Sequence, residues 1–219
     1  MKALAVVAHH DDHLLWMGGV IDRLAARGCE WTLVAMCQNN EEWRHKFFDL
    51  CCTRWRVRGI NLDFLTNQAD HGATFPLGGN DLDQMVNALT GAVNCVDYDY
   101  VFTHSRQPNG EYGNHTNHGE AREVVDVLVR RGCFRAAPIH FAYGACWGPG
   151  TPTCAPFPGT DPQRGKFYVS LQYRELLRKC RLCCKIPDDL GGLSYPCPHP
   201  EAFETDGTIP DEMNAVGPY

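Results

Sequence analysis

The chain has 219 residues, 44% of them hydrophobic, and a formal net charge of -6, which suits one domain with room for a buried core rather than a disordered chain. The acidic balance excludes a surface built for nucleic acid, since no Lys/Arg cluster is interleaved with aromatics and the one basic run, residues 174–185, reads as the solvated face of a helix. No apolar run reaches the ~18 residues that span a bilayer, and residues 3–8 lead into charged residues instead of a small-residue cleavage site, so the chain is expected to be cytoplasmic, with no transmembrane segment.

Strand-like and helical runs alternate along the first two thirds. Residues 3–8 predict a strand and 14–27 a helix closed by Gly28. A second strand covers 31–37, a helix about 41–58 with Gly59 after it, and a short third strand 62–65. A helix over 81–93, a strand over 98–103, a helix over 115–131 ending at Gly132 and a strand over 139–143 follow. Such alternation predicts an α/β, Rossmann-like three-layer αβα fold with a mostly parallel sheet. From Gly144 the texture changes to a Pro/Gly-rich segment, with one further helix near 170–185. Residues 1–185 are thus expected to form a single α/β domain, and 186–219, rich in Pro, Gly and Asp, a C-terminal arm.

The first strand breaks directly into His9-His10-Asp11-Asp12-His13. Buried ionisable groups at that density need partners, and a divalent metal satisfies them best. The fourth strand delivers His104, then a Gly-rich loop through Tyr112 and a helix bearing His115 and His118. Histidines three apart share one face of a helical turn, and His9 and Asp12 have the same spacing. Two imidazole nitrogens and one carboxylate make the donor set of a catalytic zinc with a position open for water, although Fe, Co or Mn also suit it. In an open α/β sheet, the ends of these strands are where a ligand crevice forms.

Ala8-His9-His10-Asp11-Asp12 followed by Gly18-Gly19 resembles the Ala-His-Pro-Asp-Asp…Gly-Gly signature of the PIG-L/LmbE family of zinc-dependent N-acetylglucosaminyl deacetylases. Asn109-Gly110-Glu111-Tyr112-Gly113 with His115-Thr116-Asn117-His118 resembles that family's second motif. The resemblance runs over about residues 1–143. It implies that His9, Asp12 and His118 hold Zn2+ and that Asp11 is the general base. It further implies that His115 stabilises the oxyanion or protonates the leaving amine, and that Tyr112 approaches the reacting carbonyl. Adjacent side chains diverge, so Asp12 can face the metal while Asp11 faces the water. Relative to the family, His10 replaces a Pro, His13 a Glu and Asn117 an Asp, while Asn114 is an insertion. His10 or His13 either hydrogen-bonds nearby backbone or competes with His9 as a ligand.

Arg44 and Arg106 are candidates for polar substrate groups, and Trp16, Tyr112 and Trp147 for stacking on a sugar ring; Trp16 reads equally well as core. The resemblance implies removal of an N-acetyl group from an N-acetylglucosamine-type sugar conjugate. An amidase of another small amide, or a metal-binding member without turnover, are the alternatives. No nucleotide-binding glycine fingerprint follows the first strand. Homo-oligomer formation is left open. Most of the twelve cysteines read as small hydrophobes, with Cys180, Cys183, Cys184 and Cys197 as a candidate second zinc site; the other reading is accidental helical spacing.

Overall fold

A computed structural model describes residues 1–38, 42–65, 80–106, 116–141, 166–169, 171–183, 201–207 and 213. Strands β1 (Lys2–Val7), β2 (Glu30–Gln38), β3 (Arg58–Leu65), β4 (Tyr100–Thr103), β5 (Ile139–Phe141), β6 (Lys166–Val169) and β7 (Glu201–Thr205) form a seven-stranded sheet in the order β3-β2-β1-β4-β5-β7-β6. The first five are parallel, and β7 runs antiparallel to both β5 and β6. Helices α1 (Asp12–Ala26), α2 (Glu42–Trp55) and α5 (Tyr173–Cys183) pack on one face, α3 (Leu82–Ala92) and α4 (Thr116–Arg130) on the other. The expected α/β class and mostly parallel sheet are observed.

β1 shows why its sequence is apolar without alternation. Ala3, Ala5 and Val7 enter the core under α1 and α2, while Leu4, Val6 and Ala8 enter the one under α3 and α4. A strand buried on both faces has no polar side to display. The sheet order reverses direction between β1 and β4, the switch point at which a crevice opens beyond the strand ends.

Three sequence expectations change. Residues 201–205, placed in the C-terminal arm, are strand β7 inside the sheet. The second helix stops at Trp55 rather than 58 because Arg56 takes a left-handed φ of 56° and closes the turn, with Val57 N–H bonded to Cys52 O. Gly59 is then no helix terminator: a Cβ there would meet Cys52 Sγ at 2.7 Å and Phe48 at 2.8 Å, so glycine lets β3 pass under α2. Trp16 is fully buried in the core and has no face free for a sugar.

α1 is broken at Met17 (φ −144°, ψ 16°), which frees backbone N–H groups one turn on. Glu201 of β7 accepts them, from Gly19 at 2.8 Å and Val20 at 2.9 Å. Lys179 of α5 neutralises that carboxylate through a 2.6 Å Nζ–Oε1 contact, both side chains fully buried. A Cβ on Gly19 would overlap the Leu171 side chain, so the glycine permits this approach. Arg23–Glu175 and Arg178–Asp22 pairs flank it between α1 and α5. Removing one partner of a buried pair leaves an uncompensated charge. Lys179→Met is therefore expected to lower unfolding stability by about 3–5 kcal/mol, measured by urea denaturation, with Lys179→Met/Glu201→Gln recovering part of it.

Candidate metal centre

The β1–α1 turn folds back on itself: the Asp12 carboxylate accepts the His9 backbone N–H at 2.7 Å. Its other oxygen faces His118 at the start of α4, with Oδ1 3.3 Å from Nε2. His9 Nδ1 stands 3.5 Å from Asp12 Oδ2 and 3.3 Å from His118 Nε2. The three side chains are buried, and among the described residues they form the one His/Cys/Asp/Glu group with donor atoms close enough to share a metal ion.

The spacing is itself a test of fit. Two nitrogen or oxygen donors bound tetrahedrally at ~2.0–2.1 Å stand about 3.3 Å apart. The two imidazole nitrogens stand 3.3 Å apart. Asp12 meets them through different oxygens, Oδ2 at 3.5 Å from His9 and Oδ1 at 3.3 Å from His118, and one donor atom from each residue lies within 4.8 Å of the others. Burial alone would raise the Asp12 carboxyl, but His118 and His104 beside it prevail and hold it well below the usual carboxylate range. Asp12 is thus an anion facing two imidazoles, the donor chemistry of a divalent transition metal.

Asp11, next in the chain, points elsewhere. Arg44 of α2 holds it, with Nη1 3.3 Å from Oδ1 and 3.2 Å from Oδ2. The sequence offered Arg44 for substrate contact; the structure places it against the carboxylate expected to act as base. Arg106, the second such candidate, forks onto Asp206 at 3.0 and 2.6 Å. Tyr112, His115 and Trp147 lie outside the described residues, as do Cys184 and Cys197 of the candidate second zinc site. The eight described cysteines form no disulfide, and burial raises Cys52 to about 12, in keeping with a thiol packed as a hydrophobe.

His10 and His13, the departures from the family pattern, turn away from the Asp12 cluster towards α2. The His10 ring lies 4.5 Å from that of His45, tilted 58° to it, and edge-on to Phe48; His13 is edge-on to Phe48 and Trp55. Neither belongs to the close donor group. Asn117 donates to Glu120, which also ties down Asn80 ahead of α3.

His104 is the site residue to which the sequence reading gave no role. It leaves the end of β4, its ring stacks on His118 at 4.1 Å, and its Nε2 accepts the Ala8 N–H at 2.8 Å. The signal available was its position, a histidine immediately after a predicted strand that ends beside the His/Asp cluster.

A curated relative, 1D-myo-inositol 2-acetamido-2-deoxy-alpha-D-glucopyranoside deacetylase of Corynebacterium diphtheriae, is 28% identical over 162 residues, 58% of this chain. The chain matches about half of that protein's length, 52%. Among solved structures, a deacetylase of teicoplanin biosynthesis in complex with teicoplanin superposes with a TM-score of 0.63 at 13% identity, covering 94% of this chain and 98% of that one. The chain has the PIG-L/LmbE deacetylase fold. No family model matches it. Other deacetylases are among the solved structures of this fold, and so is GalB, the 4-carboxy-2-hydroxymuconate hydratase of Pseudomonas putida KT2440, with a TM-score of 0.59, 14% identity and coverage of 95% and 96%. The PIG-L/LmbE fold therefore does not by itself settle the reaction. No helix among the described residues is long and apolar enough to cross a membrane.

His140 of β5 closes the far side of the site, donating from Nδ1 to the His104 carbonyl at 2.9 Å. Burial lowers it to about 4 from an ordinary 6.5, as it does His10 and His13. The unfolded chain therefore takes up these protons first, and the stability present above pH 6.5 is lost as the pH falls towards 4. His140→Asn retains an N–H donor near Nδ1 and removes one titration. It is expected to lessen the loss of unfolding free energy between pH 6.5 and 4 by about 3 kcal/mol, followed by chemical denaturation at each pH.

Proposed function

We propose that this chain is a metal-dependent N-deacetylase, with zinc in its centre, that hydrolyses the acetamide of an N-acetylglucosamine-type sugar or sugar conjugate. One observation carries the reading: His9, Asp12 and His118 are buried with one donor atom from each within 4.8 Å of the others at the switch point of a fold shared with deacetylases. The sugar substrate is drawn from the curated relative, whose name specifies a 2-acetamido-2-deoxy-glucopyranoside.

In this reading His9, Asp12 and His118 hold the ion. A bound divalent ion supplies a Lewis acid for the amide carbonyl and lowers the pKa of a water beside it. Asp11 takes the proton from the attacking water, and Arg44 keeps its carboxylate turned to that task. The water oxygen bonds to the acyl carbon, the C–N bond breaks, and acetate and a free amine leave. His115 hydrogen-bonds the oxyanion or delivers the proton that the departing nitrogen requires. Tyr112 and Trp147 are assigned to the substrate side, and Arg106, paired with Asp206, reaches substrate when that pair opens.

The test is elemental analysis joined to amine release from a panel of N-acetylglucosamine conjugates. Wild type is expected to hold about one zinc per chain and to release amine. Asp12→Ala and His118→Ala should lose the metal, whereas Asp11→Asn should keep it while kcat falls by about 10²–10⁴. Zinc bound at these residues with no amine released from any acetamide would remove the deacetylase reading and favour a metal-binding member without this activity.

A further inference from the structure

His104 lies within reach of Asp12 and His118, yet its chemistry sets it apart from them. Nε2 receives the Ala8 amide proton at 2.8 Å, so that nitrogen's lone pair is occupied and the ring proton belongs on Nδ1. The same atom is 3.4 Å from Asp12 Oδ2. The ring lies nearly parallel to that of His118, 19° between planes, and meets Phe141 edge-on. Behind it, the His104 carbonyl accepts from His140 Nδ1 at 2.9 Å, and Thr103 Oγ1 donates to the Val6 carbonyl at 3.0 Å.

These bonds fall where the parallel ladder stops. Paired register between β1 and β4 ends at Ala5 and Phe102, and between β4 and β5 at Thr103 and His140. Beyond those points imidazoles take over the bridging: His140 reaches from β5 to β4, and His104 from β4 to β1. Ala8 is the residue before His9, so the His104 bond anchors the ligand-bearing turn at its root. The stacked ring meanwhile limits the rotation of His118.

We propose that His104 is the positioning residue of the metal centre, fixing the Ala8–Asp12 turn and the His118 ring without serving as a ligand. The inference rests on the metal reading above and adds a residue to it. Partners of metal ligands in this outer position alter affinity by about 10–100-fold when removed.

The experiment compares wild type, His104→Gln, His104→Leu and His118→Gln in zinc affinity, by competition with a chromophoric chelator, and in the absorption spectrum of the Co(II) form. Glutamine can offer an acceptor near the position of Nε2; leucine offers none. His104→Leu is expected to bind zinc at least about 10-fold more weakly and His104→Gln within about threefold of wild type. The Co(II) spectrum of His104→Gln should match wild type, while that of His118→Gln should not. A His104→Gln spectrum altered as in His118→Gln would make His104 a ligand and overturn the proposal, as would wild-type affinity in His104→Leu. If the leucine variant does not fold, the glutamine spectrum decides. Absence of zinc or Co(II) binding by wild type would instead remove the metal centre, and this inference with it.

Discussion

One buried carboxylate organises the functional end of the molecule. Asp12 is almost wholly shielded from solvent, and an isolated anion there would be destabilising by several kcal/mol. Its polar partners are the His9 amide in its own turn and His118 on α4, while His104 after β4 stands beside it and bonds the Ala8 amide at the root of that turn. The turn, the strand end and the helix start are thereby required to meet at one point. The switch point supplies the opening, because neighbouring connections leave β1 and β4 towards opposite faces.

The second constraint lies behind that turn. α1 carries Asp12 at its start but cannot continue as one regular helix, since Met17 leaves helical geometry. The break is made tolerable from a distance of 182 residues by Glu201, which accepts the Gly19 and Val20 amides and is itself neutralised by Lys179. The Gly18-Gly19 pair of the family signature has a structural role here. Lys179 crosses close over Gly18, and Leu171 occupies the space a side chain on Gly19 would need. A motif met beside catalytic residues need not act on substrate; this one lets the last two packing elements reach the first helix.

The sequence made legible what depends on local patterning. β1, α1, β2, α3 and α4 were found within a few residues because their apolar runs and terminal glycines coincide; Gly28 and Gly132 both take left-handed φ at helix ends. β7 was invisible for a physical reason. Glu201-Ala202-Phe203-Glu204-Thr205 looks like a solvated segment among prolines, and Glu201 enters the core only because Lys179 meets it there. Nothing local announces a partner 22 residues away on a helix. Arg56 similarly misled the end of α2, since an arginine seldom takes a left-handed φ. In the site, the close group of His9, Asp12 and His118 was foreseen, whereas the Arg44–Asp11 contact and the bond from Ala8 to His104 arise from tertiary approach.

Asp11 and Asp12 differ in what surrounds them, and the contrast bears on the proposed chemistry. Asp12 faces three imidazoles and accepts a backbone amide, an environment that fixes it as an anion and suits a ligand. Asp11 has a guanidinium across the cleft, at 3.2–3.3 Å through a single Nη1. That contact is looser than the 2.6 Å pairs within the core, so its oxygens remain able to turn towards a water. Opposite directions for adjacent side chains follow from the turn at the helix start, which sends one carboxylate into the histidine cluster and the other towards α2. Two identical groups can thus be separated into holding and proton-taking roles by their surroundings alone. In the proposed mechanism, Arg44 and the His104–His118 stack would be the surroundings that separate them.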